Sequence, residues 1–166
     1  KTGYCVVVGL NDGKMVDELV LQTDMRILVL DKDPARIEAL RNRLTDAGVY
    51  GSRVDAFVGD PLTQSLPPYI ANLVVSEDWS RAGLDRGRTV VEAIYKSLRP
   101  YGGVACFELG DIKNQDLEQW ASTLSRSSLQ QDGQLAVLSR VGALEGAGTW
   151  SDEYGSPANT LMSSES

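Results

Sequence analysis

The chain has 166 residues, 42% apolar and 23% charged, with 16 Lys and Arg against 23 Asp and Glu; at roughly 150 residues per domain this is one domain with a modest surplus. A net charge of −7 and a pI near 4.6 argue against nucleic acid and anionic membrane surfaces as partners. Histidine is absent, which excludes Ser-His-Asp triads, Cys-His pairs and His-ligated zinc. Cys5 and Cys106 are too few and too far apart for a disulfide framework or an all-Cys metal site; both lie in apolar runs and read as buried thiols, so no metal is expected.

In chain order, the apolar run Tyr4–Val8 ends in Gly9 and opens the turn Gly9-Leu10-Asn11-Asp12-Gly13, after which Val16, Leu19 and Val20 keep helical spacing. Arg26–Leu30 is β-branched and leucine-rich and ends in Asp31. Asp33 as N-cap, Pro34 at the first helical position and Ile37, Leu40 and Leu44 predict a helix that Gly48 stops. Strands follow at Arg53–Val58, ending in Gly59-Asp60-Pro61, and at Leu73–Val75, ending in Ser76. The longest connection, Ser76–Arg88, reads either as a solvated loop or as an acceptor-binding lip carrying Trp79. Thr89 and Glu92 form a capping box ahead of Val91, Ile94 and Leu98, and Pro100 ends that helix. Gly103–Leu109 is a fifth strand, Leu117, Trp120, Ala121 and Leu124 mark a last helix, and Asp132-Gly133 turns into a final strand at Leu135–Val141. Unbroken apolar runs suit strands buried on both faces. Their alternation with helices predicts an α/β fold: a Rossmann-like, three-layer αβα sandwich on a mostly parallel, open, doubly wound sheet.

In such a sheet, ligands lie at the carboxyl ends of the strands, near the point where strand order reverses. The Gly9–Gly13 turn allows close approach to the main chain and to a helix N-terminus. Asp31, 22 residues after Gly9, is placed to accept both hydroxyls of a ribose, and Asp60 to face the edge of an adenine. Each also has a structural reading, as a tight connection, a solvated carboxylate beside Lys32 and Asp33, and the start of a turn. Together, at the ends of three successive strands, they point to an adenosine-type nucleotide site.

The segments CVVVGLNDG at 5–13, ILVLDKDPARIEAL at 27–40, RVDAFVGDPL at 53–62, NLVVSEDW at 72–79 and SLRPYGGVACFELG at 97–110 form an ordered set. Over roughly residues 2–141 the chain resembles a class I S-adenosylmethionine-dependent methyltransferase domain. The resemblance implies that cofactor, a small-molecule or protein methyl acceptor and, because the cofactor is a cytosolic metabolite, a cytoplasmic location. It places Gly9, Asn11, Asp12 and Gly13 along the methionine part, Asp31 and Lys32 at the ribose, and Gly59 and Asp60 at the adenine. Ser76, Glu77, Asp78 and Trp79 would face the transferred methyl and the acceptor, with Glu77 or Asp78 as the general base and Trp79 stacking on a flat substrate. Two departures stand out: Val7 where the family carries an acid, and Asn11 for the middle Gly. Asp12 is the expected source of the missing charge. The C-terminal end also looks short, with one evident strand where the family has an antiparallel pair.

After Arg140 the chain carries no basic residue but four acidic ones, Glu145, Asp152, Glu153 and Glu165; without them residues 1–141 carry −3. We read residues 1–144 as the folded domain and 145–166 as a linker or the start of a following domain. The spacing of Trp150, Tyr154-Gly155 and Asn159-Thr160 resembles the opening of a pyrroloquinoline-quinone-type β-propeller, which, with Lys1 in place of Met and no leader, reads as part of a larger bacterial multidomain protein. Two other functions stay open: a degenerate, non-catalytic spacer or docking module, and a nicotinamide-dependent oxidoreductase, against which Gly9, Asn11 and Lys14 depart from Gly-x-Gly-x-x-Gly.

Overall fold

The computed structural model describes residues 2–144 apart from 65, 111 and 112, so the expectations for residues 145–166 lie outside the described residues. Tyr4–Val8 forms β1, followed by α1 (Lys14–Gln22), β2 (Arg26–Asp31), α2 (Pro34–Asp46), β3 (Val54–Val58), β4 (Ala71–Val75), a 3-10 turn at Leu84–Arg86, α3 (Arg88–Ser97), β5 (Val104–Glu108), α4 (Asn114–Ala121), β6 (Ser127–Asp132) and β7 (Leu135–Arg140). The strands make one sheet in the order β3-β2-β1-β4-β5-β7-β6. β1 to β5 run parallel, and β7 runs antiparallel to both β5 and β6. Chain order reverses between β1 and β4, so the carboxyl ends of these two strands flank the switch point where ligands bind in open α/β sheets.

The apolar runs are continuous because each strand feeds two cores at once. Cys5 and Val7 join Ile27, Val29, Ile37, Leu40 and Leu44 on the α1–α2 side. Val6 and Val8 join Val74, Phe107, Val91, Ile94 and Leu117 on the α3–α4 side. This period-2 division is what a parallel sheet covered on both faces requires. The cover is uneven. Beyond β1, Val74, Ala105, Phe107, Ala136 and Leu138 are buried on the α3–α4 side, whereas Leu73, Val75, Val104, Cys106 and Val137 on the other face are only half-buried.

Two expectations need correction. The C-terminal end does hold an antiparallel pair: β6, Ser-Ser-Leu-Gln-Gln-Asp, is an edge strand too polar to show as an apolar run. The capping box is not formed, because α3 begins two residues earlier, with Gly87 as its N-cap. Glu92 instead pairs with Arg88 at 2.5 Å. At the opposite edge, β3 has its outward polar groups capped. Val54 exchanges hydrogen bonds with Val49 and Gly51, Arg41 donates to the Ala56 carbonyl at 2.6 and 3.0 Å, and Gln64 donates to that of Val58 at 3.0 Å.

Candidate functional site

The β1–α1 turn is bonded from every side by the chain itself. Glu77, just past β4, reaches across the switch point: its carboxylate accepts the backbone N–H of Asn11 at 2.7 Å, Gly13 at 2.9 Å and Met15 at 2.8 Å. This is the ring of donors at a helix N-terminus that otherwise receives an anion. Asp31 accepts from Leu10 N at 2.6 Å with one oxygen and from Asp33 N at 2.8 Å with the other. From α2, Arg36 donates to the carbonyls of Leu10 and Asn11, and Arg43 to those of Asp12 and Gly13. Gly9 is required by close packing: a Cβ there would strike the Asp78 carbonyl oxygen and approach Ala82 N to 2.9 Å.

The carboxylate bonded to the N–H groups of the turn is that of Glu77. Asp12 bonds locally to the Lys14 N–H at 3.1 Å and to the Lys14 ammonium at 2.6 Å. That contact lowers the Asp12 carboxyl and raises the Lys14 amine relative to their ordinary values. Sequence reasoning placed Glu77 at the site but missed this role, since nothing local announces a contact spanning 62 to 66 residues.

Asp31 and Asp60 end β2 and close the β3 turn, as expected, but both are buried, at 2% and 4% exposure. Asp60 caps its own turn through Leu62 N at 2.8 Å and Thr63 N at 3.0 Å. It also pairs with Arg86 at 2.9 Å and Lys32 at 3.6 Å. Burial works to raise its pKa, and the N–H groups of Thr63 and Leu62 with the Arg86 guanidinium outweigh burial and hold it below the usual carboxylate range. Gly59 lies against the Gln64 and Thr63 side chains.

Past β4, Ser76 Oγ accepts from Asp78 N at 3.0 Å, and Asp78 takes up Ser80 Oγ at 2.5 Å and the Arg81 backbone and guanidinium at 3.1 and 3.0 Å. The Ser80 hydroxyl first, then Arg81, lowers the Asp78 carboxyl. In the connection 76–88, Trp79, Ala82 and Leu84 enter the core, Ser80, Asp85, Arg86 and Arg88 are exposed, and the Trp79 ring stacks on Phe107 at 4.5 Å. Beside it lies the open part of the site, a cleft of about 360 Å³ over the ends of β4, β5 and β7. Met15, Val75, Trp79, Cys106 and Leu135 give it an apolar lining, and Ser76, Glu108, Asp132 and Gln134 a polar one. Burial raises the Cys106 thiol, and pushes that of Cys5, under α1, up to about 12. Among the described residues no group of His, Cys, Asp and Glu is arranged to hold a metal ion, and no helix is long and apolar enough to cross a membrane.

No family model matches the chain, and no curated protein does. Solved structures do. A Methanococcus maripaludis protein with a proposed S-adenosyl-L-methionine-dependent methyltransferase activity superposes with a TM-score of 0.73 at 17% identity, over 87% of this chain and 80% of that one. A TehB-like S-adenosylmethionine-dependent methyltransferase of Corynebacterium glutamicum gives 0.60 at 18%, over 82% and 78%. The cyclase SpnF gives 0.55 at 14%, over 63% and 38%. At these identities the likeness is one of fold, and the fold is that of the class I S-adenosylmethionine-dependent methyltransferases.

Proposed function

We propose that the chain is an S-adenosylmethionine-binding methyltransferase domain whose acceptor enters the cleft over β4, β5 and β7. The observation that carries this reading is the Glu77 carboxylate on the glycine turn. A dinucleotide needs those N–H groups for its pyrophosphate, and here they are taken by a negative side chain that repels phosphate. A ligand with no phosphate and a cationic sulfonium and ammonium suits the same place. Gly9, Asn11, Asp12 and Gly13 with Ser76 would border its methionine part, Asp31 and Lys32 its ribose, and Gly59 and Asp60 its adenine. When bound, the cofactor supplies an electrophilic methyl on sulfur. The chain's own part is alignment of the acceptor and exclusion of water, which needs no histidine. Glu77 and Asp78 are committed to the turn and to Arg81, so they position backbone and leave proton acceptance to other groups.

One observation favours a second reading, the non-catalytic module: Asp31 and Asp60 are buried and already bonded within the chain. A thermal-shift titration separates the readings, because a ligand bound only by the native state raises the melting temperature. S-adenosylmethionine and S-adenosylhomocysteine should stabilise the protein, while NAD and pyrophosphate should not. Stabilisation by NAD would overturn the reading of Glu77, and no shift with any ligand at millimolar concentration would favour the inert module.

A further inference from the structure

We propose that the cleft over β4, β5 and β7 binds a small organic ammonium ion, held by Glu108 and Asp132. This rests on the preceding reading only in making the bound amine the acceptor; the binding itself stands on the cleft. Its volume, about 360 Å³, is in the range of small-molecule pockets. Leu135 of β7 is in register with Glu108 of β5 on one side and with Asp132 of β6 on the other. Residues paired across strands project from the same face, so the two carboxylates flank Leu135 with two inter-strand spacings, about 10 Å, between their backbones. Neither makes an ion pair or a side-chain hydrogen bond among the described residues, in contrast to the tied carboxylates of Asp31, Asp60, Glu77 and Asp78. No Lys or Arg lines the cleft. A lining of apolar side chains with two carboxylates selects a cation carrying a hydrocarbon body, and it disfavours an anion of the same shape. The ammonium is the handle by which the ligand is held, with its hydrocarbon against Met15, Cys106 and Leu135.

The test uses the full chain, labelled with nitrogen-15 and titrated at neutral pH with pentylamine, 1-pentanol and pentanoate. Pentylammonium should move the amide resonances of Cys106, Glu108 and Leu135 and bind about tenfold tighter than the alcohol, with pentanoate weakest. The Glu108→Gln, Asp132→Asn double variant, changed at two exposed positions, should erase the preference and leave the alcohol's affinity alone. Equal affinity for amine and alcohol, or an unchanged preference in the double variant, would overturn the proposal. S-adenosylmethionine titrated on the same sample keeps the two readings apart. Amine binding without cofactor binding leaves the cleft standing and removes the transferase reading; cofactor binding without amine selectivity does the reverse.

Discussion

Two backbone N–H donors and two cations, the Arg86 guanidinium and the Lys32 ammonium, converge on Asp60, a side chain only 4% exposed. Replacing it with Asn keeps the shape and one acceptor but leaves Arg86 facing a neutral group, at a cost of about 1–3 kcal/mol at pH 7. Because the folded carboxyl lies below its ordinary value, its contribution is complete above the unfolded pKa, about 4, and is lost as pH falls through the depressed folded value. Denaturant unfolding at pH 7, 4 and 3 should therefore show wild type and Asp60→Asn converging as the pH drops. Parallel curves would mean that the carboxylate's charge is not what the site uses. That Asp60 and Asp31 belong at strand ends is legible from Gly59-Asp60-Pro61 and from the run before Asp31. What occupies them is not, because Arg86, Lys32 and Leu10 arrive from elsewhere in the chain and no local pattern encodes their approach.

Among elements, the strands that carry a run of apolar residues are legible in the sequence: β1, β2, β3, β5 and β7 show within a residue of their ends. β6 was hidden because it is the outer strand of an antiparallel pair, with Gln130, Gln131 and Asp132 exposed. The helix at Arg88 carried a misleading local signal, since a Thr-x-x-Glu pair caps a helix only when the Thr is the residue before its first turn. The other edge, β3, exposes Phe57 and Val58, which makes it a site for strand addition unless its backbone is covered. Arg41 covers the middle of it through the Ala56 carbonyl. Arg41→Ala should then leave the melting temperature within a few degrees of wild type while producing concentration-dependent self-association, read by sedimentation. A variant that stays monomeric at high concentration would show that the remaining caps from Gly51, Val49 and Gln64 suffice.

On the scale of the whole molecule, the sheet is clothed unevenly, and this divides its stability. β1 and β2 lie between both helical layers: Val6, Val7, Val8, Ile27 and Val29 are fully buried. At the other side, β6 has one neighbour, β7, and its last three residues are exposed. β7 is better held, by Ala136 and Leu138 in the core and by Arg140 against the rings of Tyr95 and Tyr69, at 4.5 and 4.9 Å. Local opening is favoured where few apolar contacts must be broken, so β6 should detach before the rest of the sheet loosens. Native-state hydrogen exchange in low denaturant tests this order. Amides of Val6, Val8, Ile27 and Val29 should exchange only through global unfolding, with rates that rise steeply with denaturant. Those of Ser128 to Gln131 should exchange faster and almost independently of it. Because Asp132 lines the proposed ammonium site, an amine bound there ties β6 to β5 through Glu108 and should slow exchange in β6 selectively. If β6 is already as protected as β1 in the free protein, the uneven clothing of the sheet does not set its order of opening.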